Sequence, residues 1–390
     1  LLWLVKTLAR NQMTEPVSLN VASREIFDIT GNEHLNAENA MLAGANKVIP
    51  QEYPNILCRL IDMDEFNLQR VLDEFAAKPS QVTVAYRHGC RWVQTFDSMD
   101  MEGDETPQSI LRDQGVYLIT GGVGNIGLTL ASFLAENYNA KLVLLDRRPF
   151  PERSEWDQVV KNGDASIARK IEQIKQVEAK GGEVLVLSAD MTDEPQMLEI
   201  LDWTREHFGG PNGIIHAAGL VGTQSTVAIA ETDVDACEQQ FAPKIYGSRL
   251  LAKIVENKQL DFVLLQSSLS TILGGMGMYA YAAANSYMDT LAAIQTRKQK
   301  TMWMSINWDG WRFGEKSSKS DIEELSLTPS EGVKVYDLLF KNAGLSQMVI
   351  STGDLETRLQ KWVTFETLRT QMLEGFKTST TKHERPNLTT

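Results

Sequence analysis

Val116-Tyr117-Leu118-Ile119-Thr120-Gly121-Gly122-Val123-Gly124-Asn125-Ile126-Gly127 is the stretch on which the reading of this 390-residue chain turns. An unbroken run of strand-forming residues gives way to glycines, and the helical pattern Leu128 to Glu136 follows at once. Glycines let a backbone turn tightly and come close to a diphosphate, while a helix N-terminus offers free N–H groups and partial positive charge. Thr120, Gly121, Gly122, Gly124, Asn125 and Ile126 are therefore candidate dinucleotide-binding residues. The plainer alternative is a strand-to-helix turn that needs left-handed conformers and nothing more.

Outward from this stretch, strand signals recur at Lys141 to Leu145, Glu183 to Leu187, Gly213 to His216, Phe262 to Leu265, Met302 to Ile306 and Gln347 to Ile350. Strands interleaved with helical segments predict an α/β fold, a doubly wound Rossmann-type parallel sheet over residues 114–363. Before it, residues 1–97 carry strand-like runs at Val17 to Val21, Asn55 to Ile61 and Val82 to Tyr86. Helical patterns lie at Leu1 to Arg10, Asn36 to Val48 and Phe66 to Ala77, and Arg91 to Phe96 reads as a hairpin strand after His88-Gly89. No glycine-rich turn follows any of these strands. A smaller, truncated Rossmann-like structural subdomain without a cofactor is expected there. Residues 98–113 read as a surface connection and 364–390 as a polar linker or tail. Arg153 to Lys180 reads as one long charged helical insertion with a solvated face.

Composition narrows the function classes. A hydrophobic share of 43% and a charged share of 23% suit a water-soluble globular protein, and no apolar run is long enough to span a bilayer. A net charge of −13 argues against a nucleic-acid partner. Three cysteines, Cys58, Cys90 and Cys237, lie far apart, and the five histidines show no metal-ligand spacing. A cytoplasmic setting and no metal are expected. The start, Leu1-Leu2-Trp3, has no initiator methionine and no leader pattern, so the chain reads as a piece of a longer polypeptide.

Downstream, the strand Phe262 to Ser268 ends in a hydroxyl, and Tyr281-Ala282-Ala283-Ala284-Asn285 opens a helix with Tyr and Asn one turn apart. Lys244 stands on the preceding long helix. Reducing a ketone needs a proton donor and stabilisation of the developing alkoxide. Tyr281 is the natural acid, and a nearby ammonium such as Lys244 would lower its pKa. Each residue also has a plain reading: an interfacial aromatic, a strand-end hydroxyl, a surface charge, a helix-start amide. Tyr279 competes for the acid role but has Ala283, not Asn, four residues on.

Short-chain dehydrogenases ordinarily carry Tyr-x-x-x-Lys at this place. The exchange of Lys and Asn between Lys244 and Asn285 resembles the ketoreductase domains of modular type I polyketide synthases, within the short-chain dehydrogenase/reductase superfamily. Val48 to Pro54 and Arg91 to Gln94 extend the resemblance into the first subdomain. It implies that Ser268 bonds the substrate oxygen and that Asn285 holds the lysine, a water or the backbone. It implies Asp190 and Met191 near adenine, Ala217, Ala218 and Gly219 near the adenosine ribose, and Asn307 to Trp311 beside the nicotinamide. After the second strand, Asp146 suits a free ribose hydroxyl whereas Arg147 and Arg148 suit a 2′-phosphate. NADPH is favoured, although Asp146 departs from the family pattern and could instead turn the loop. His216 reads as a satisfied strand-end histidine.

The resemblance makes the substrate a β-ketoacyl chain on the phosphopantetheine of an acyl carrier protein, with neighbouring synthase domains as further partners and a β-hydroxyacyl thioester as product. Gly274 to Met278 reads as a loop shaping the entrance, with Met276 and Met278 facing an acyl chain or simply packing. Gly314 to Leu325 reads as a lid. Neither stereochemical marker is present: Leu220-Val221-Gly222-Thr223 replaces Leu-Asp-Asp, and Leu273 stands eight residues before Tyr281 where some members have Trp. A catalytically silent scaffold module and a stand-alone dehydrogenase for a free ketone are the competing readings.

Overall fold

The computed structural model describes residues 1–76, 81–100, 109–220, 226–298, 300–314 and 325–364. Its smaller sheet holds β1 (Val17–Ser23), β2 (Ile56–Met63), β3 (Thr83–Arg87) and β4 (Cys90–Val93), in that spatial order. The first three are parallel, and β3 turns into antiparallel β4 through His88 and Gly89, both at positive φ, as a two-residue hairpin turn requires. Helices α1 (Leu2–Arg10), α2 (Ala37–Glu52) and α3 (Leu68–Ala76) accompany this sheet.

The larger sheet holds β5 (Val116–Thr120), β6 (Lys141–Asp146), β7 (Glu183–Ser188), β8 (Gly213–His216), β9 (Phe262–Ser268), β10 (Met302–Trp308) and β11 (Gln347–Val349). The order is β11-β10-β9-β8-β5-β6-β7 and every pairing is parallel. Side chains alternate between two cores. Tyr117, Ile119, Leu142, Leu144, Ile215, Phe262, Leu264 and Met304 enter one, while Leu118, Val143, Leu145, Ile214, Val263, Leu265 and Trp303 enter the other. Both faces are thus covered, which is why these strands read as continuous apolar runs.

One core is roofed by α4 (Asn125–Tyr138), α5 (Trp156–Asn162), α6 (Ala165–Ala179) and the helix Pro329–Lys341. The other is roofed by α7 (Glu194–Phe208), α9 (Gly247–Val255) and α11 (Tyr279–Lys298), with α8 (Val234–Phe241) before α9 and α10 (Ser270–Leu273) before α11. The chain leaves β5 toward β6 and β7, then returns to the other side of β5 with β8. That reversal opens a crevice at the carboxyl ends of β5 and β8, the usual ligand position in open α/β sheets. Among the described residues the smaller sheet has no such reversal.

Two sequence expectations change. Arg153 to Lys180 is broken at Gly163, with Asp164 capping α6, so the insertion is two helices. It is also less solvated than its charge suggested, because Trp156, Ile171, Ile174 and Val177 enter the core. Helix α2 runs past the expected end at Val48 to Glu52 and includes Pro50. The predicted connection and tail lie partly outside the described residues, at 101–108 and 365–390.

Candidate active site

The crevice begins at the turn after β5. Gly121 has φ 66°, and a Cβ on it would come within 2.8 Å of the Ala217 carbonyl oxygen, so the turn and the β8 end require glycine here. Gly124 is different: an added Cβ would meet only the Gly121 oxygen, at 3.1 Å. It also caps α4 without a side chain. The leading N–H groups of α4, from Asn125 and Ile126 onward, therefore lack intrahelical partners beside open space, and this cradle fits a diphosphate.

Thr120 contributes differently from its sequence reading. Its buried hydroxyl is bonded to His216 Nδ1 at 2.7 Å, and His216 Nε2–H donates to the Pro243 oxygen at 3.0 Å. Burial, and then the charge of Lys244, push His216 down to about 3, so it is a neutral structural tie. Asp146 accepts from the Arg148 backbone N–H at 2.9 Å and turns the loop, leaving the Arg147 and Arg148 side chains exposed. The Asp190 carboxylate is likewise taken up, by Thr192 N and Oγ1 at 2.9 and 2.7 Å. Met191 is buried and packs over Gly247. Ala217, Ala218 and Gly219 run along the crevice wall, and a Cβ on Gly219 would sit 3.2 Å from Lys244 Cε.

Lys244, Asn285, Tyr281 and Ser268 are brought together. Lys244 lies in a π-helical turn, Ala242–Tyr246, rather than in a regular helix, because Pro243 breaks the hydrogen-bond ladder between α8 and α9. Its Nζ donates to Asn285 Oδ1 at 3.0 Å and to the Gln266 oxygen at 3.2 Å, and lies 5.2 Å from the Tyr281 ring centroid. Asn285, fully buried, donates its Nδ2 to the Tyr281 carbonyl at 2.8 Å. Burial draws Lys244 down to about 8, against the opposing pull of the Asp289 carboxylate.

The Tyr281 phenol moves opposite to the sequence expectation. Burial raises it above its ordinary value, and hydrogen bonds with Ser268 and Asn285 pull only part of the way back. The Lys244 ammonium meanwhile faces the Tyr281 ring and bonds the Asn285 amide oxygen. Tyr279 packs against Ala45, Val48 and Ala283 in the apolar layer around Val5 and Ile49. Its phenol is raised strongly by burial.

A model of the KR domain family matches residues 115–313. The chain belongs to the KR domain family. It is therefore a member of the short-chain dehydrogenase/reductase superfamily, for which a nicotinamide cofactor is implied. Among relatives, it is 31% identical over 320 residues to the 6-methylsalicylic acid synthase of Penicillium patulum, covering 79% of this chain and 17% of that protein. It is 28% identical over 355 residues to the polyketide synthase PksL of Bacillus subtilis, covering 87% of this chain and 8% of that one. The chain thus spans less than a fifth of the length of either relative. A crystal structure of a ketoreductase domain from the bacillaene assembly line superposes with a TM-score of 0.75 at 23% identity, over 93% of this chain and 84% of that one. That likeness shows the fold.

Sequence reasoning missed a polar layer beneath this KR site. Asp289, one turn beyond Asn285, is buried and accepts from Ser305 Oγ at 2.6 Å and Asn307 Nδ2 at 2.7 Å. Asn307, predicted beside the nicotinamide, is fully buried and also reaches Ser267 Oγ at 3.1 Å and the Ser268 oxygen at 3.3 Å. It ties β10 to the strand end that carries Ser268. Lys47 donates to the Thr271 oxygen at 2.7 Å from the other sheet's α2. A lysine inside the buried run Ala43 to Pro50, and an aspartate inside a helix of small residues, were the available signals. The predicted lid and the Leu220 to Thr223 marker fall mainly on 315–324 and 221–225, outside the described residues.

Proposed function

We propose that this chain reduces a β-ketoacyl thioester, carried by the phosphopantetheine arm of an acyl carrier protein, to the β-hydroxyacyl thioester with NADPH during polyketide elongation. The observation that carries the reading is the Lys244–Asn285–Tyr281 contact chain, with Ser268 against the phenol, beside the open cradle at Gly124. In this reading residues 1–97 are the structural subdomain, 98–113 the connection, 114–363 the catalytic subdomain and 364–390 a tail, with neighbouring synthase domains as further partners.

Tyr281, kept protonated by its surroundings, donates its proton to the ketone oxygen, and Ser268 Oγ hydrogen-bonds that oxygen. Lys244 stabilises the phenolate left behind. Asn285 orients Lys244 through Oδ1 and the Tyr281 backbone through Nδ2. The bound nicotinamide supplies the hydride. Gly121, Gly122, Gly124, Asn125 and Ile126 hold the diphosphate, and Arg147 and Arg148 take the 2′-phosphate, Asp146 being engaged by the Arg148 N–H.

The deciding assay supplies a β-ketoacyl N-acetylcysteamine thioester, and then its acyl-carrier form, with NADPH or NADH, and follows nicotinamide absorbance and product enantiomers. Cofactor binding without turnover of either substrate would instead mark a silent module. Arg147→Ala is expected to weaken NADPH binding roughly tenfold to a hundredfold while NADH binding stays level. Equal loss of both cofactors would remove Arg147 from the phosphate.

The alkaline side of the pH profile tests Lys244. With a pKa lowered to about 8, it loses its charge as pH rises through that value, and turnover is expected to fall with it. Its effect on stability has the opposite slope. Between about 8 and the ordinary 10.5 the unfolded chain binds more protons, so this lysine's contribution to stability rises with pH across that window and is lost as pH falls through the folded value. A turnover profile flat through this window would exclude the ammonium from the reaction.

A further inference from the structure

Helix α2 ends in Gln51 and Glu52, and both side chains reach across to the loop that joins Ser268 to Tyr281. Gln51 Nε2 donates to the Leu273 and Trp362 carbonyls at 2.7 and 2.9 Å, while its Oε1 accepts from Gly275 N at 2.7 Å. Glu52 accepts from Gly277 N at 2.9 Å through one oxygen and from Ile229 N at 2.6 Å through the other. Gly277 and Ile229 belong to two separate segments, zipped once more by Val227 N donating to the Gly277 oxygen at 2.9 Å. A small recess between these segments, α8 and the start of α11 has Val227, Gln240, Gly277 and Tyr281 in its lining. One carboxylate therefore ties the two segments together beside Tyr281 with two charge-assisted bonds to backbone. No substrate group is needed to make these contacts.

We propose that Gln51 and Glu52 are positioning residues that fix the shape of the acyl entrance, so that helix α2 of the smaller sheet helps decide how the ketone is presented. This rests on the ketone-reduction reading of the site. The chemistry is simple. The glycine loop has conformations to spare, with Gly274, Gly275 and Gly277 all at positive φ, and the α2 side chains leave it only one.

The test compares wild type, Glu52→Ala and Glu52→Gln in the full chain. The glutamine keeps one accepting oxygen but turns an amide N–H₂ toward the other backbone donor. Glu52→Ala is expected to raise KM for the acyl thioester about tenfold or more and to shift the product enantiomers toward equality, with NADPH affinity unchanged. Glu52→Gln should recover part of both. Hydrogen exchange over peptides 226–232 and 273–280 should quicken in Glu52→Ala and lie between in Glu52→Gln.

Unchanged exchange in Glu52→Ala overturns the clamp. Faster exchange with unchanged KM and enantiomer ratio overturns its link to substrate. Loss of NADPH affinity in step with acyl KM would mean a general structural role. A wild type that binds NADPH but reduces no thioester removes the functional reading and the acyl entrance with it, while the exchange comparison still decides the clamp by itself.

Discussion

Tyr281→Phe is expected to lower reduction of a β-ketoacyl thioester by ~10²–10⁴ while NADPH affinity stays within about twofold. The substitution removes one oxygen and, with it, the phenol's hydrogen bonds with Ser268 and Asn285. Asn285 bonds the backbone carbonyl of residue 281, which phenylalanine keeps, and Lys244 lies 5.2 Å from the ring centroid, where an aromatic face remains. The Lys244–Asn285 bond at 3.0 Å does not involve the phenol. Lost turnover would thus report lost proton donation rather than a collapsed site. The check is single-turnover nicotinamide absorbance beside a cofactor titration. Normal turnover would take Tyr281 out of the acid role and with it the mechanism above.

Gly44→Ala is expected to destabilise the chain by about 1–3 kcal/mol and to cut turnover strongly, although Gly44 lies in α2, on the smaller-sheet side. A Cβ there would meet the Ala282 carbonyl oxygen at 2.3 Å and its carbon at 2.5 Å. Alanine should gain roughly 0.5–1 kcal/mol over glycine in a helix interior. The obstacle is backbone of α11, which cannot rotate aside, so overpacking outweighs propensity. Relief requires α2 and α11 to separate. Because α11 carries Tyr281 and Asn285 next to Ala282, an ångström of movement there can cost about a hundredfold in rate. Thermal melting and kcat/KM should fall together, and a variant as stable as wild type would refute the close crossing.

Much of the fold was legible because its signals are local. The apolar run Val116 to Thr120 followed by glycines, and the repeated strand–helix alternation, depend on neighbours in sequence, and the observed strands fall where those runs lie. Arg153 to Lys180 misled because charge dominates its composition while Ile171, Ile174 and Val177 form a narrow buried stripe. The expected end of α2 at Val48 fell short of Glu52, since the last turn, Ile49 to Glu52, carries no helical apolar pattern of its own.

At the site, the order Lys244, Ser268, Tyr281 and Asn285 could be read because strand and helix ends place those residues at one edge of the sheet. The state of the phenol could not. Its rise comes from burial, which the hydrogen bonds with Ser268 and Asn285 only partly offset, and burial is a fact of packing. The bonds of Thr120 to His216, of Asp146 Oδ1 to the Arg148 N–H and of Asp190 Oδ1 to Thr192 were likewise beyond residue type to show.

The sequence by itself determined a doubly wound sheet and a glycine turn at its switch point, and marked the side chains proposed to reduce a ketone, since each is written in local pattern. Only the tertiary structure decided that α2 of the smaller sheet abuts the catalytic helix at Gly44, and that Gln51 and Glu52 hold the loop before Tyr281. Those bonds join residues 224 and 225 positions apart. Contacts so distant leave no periodicity in the chain, and they exist because two separately formed layers bury their apolar faces against each other.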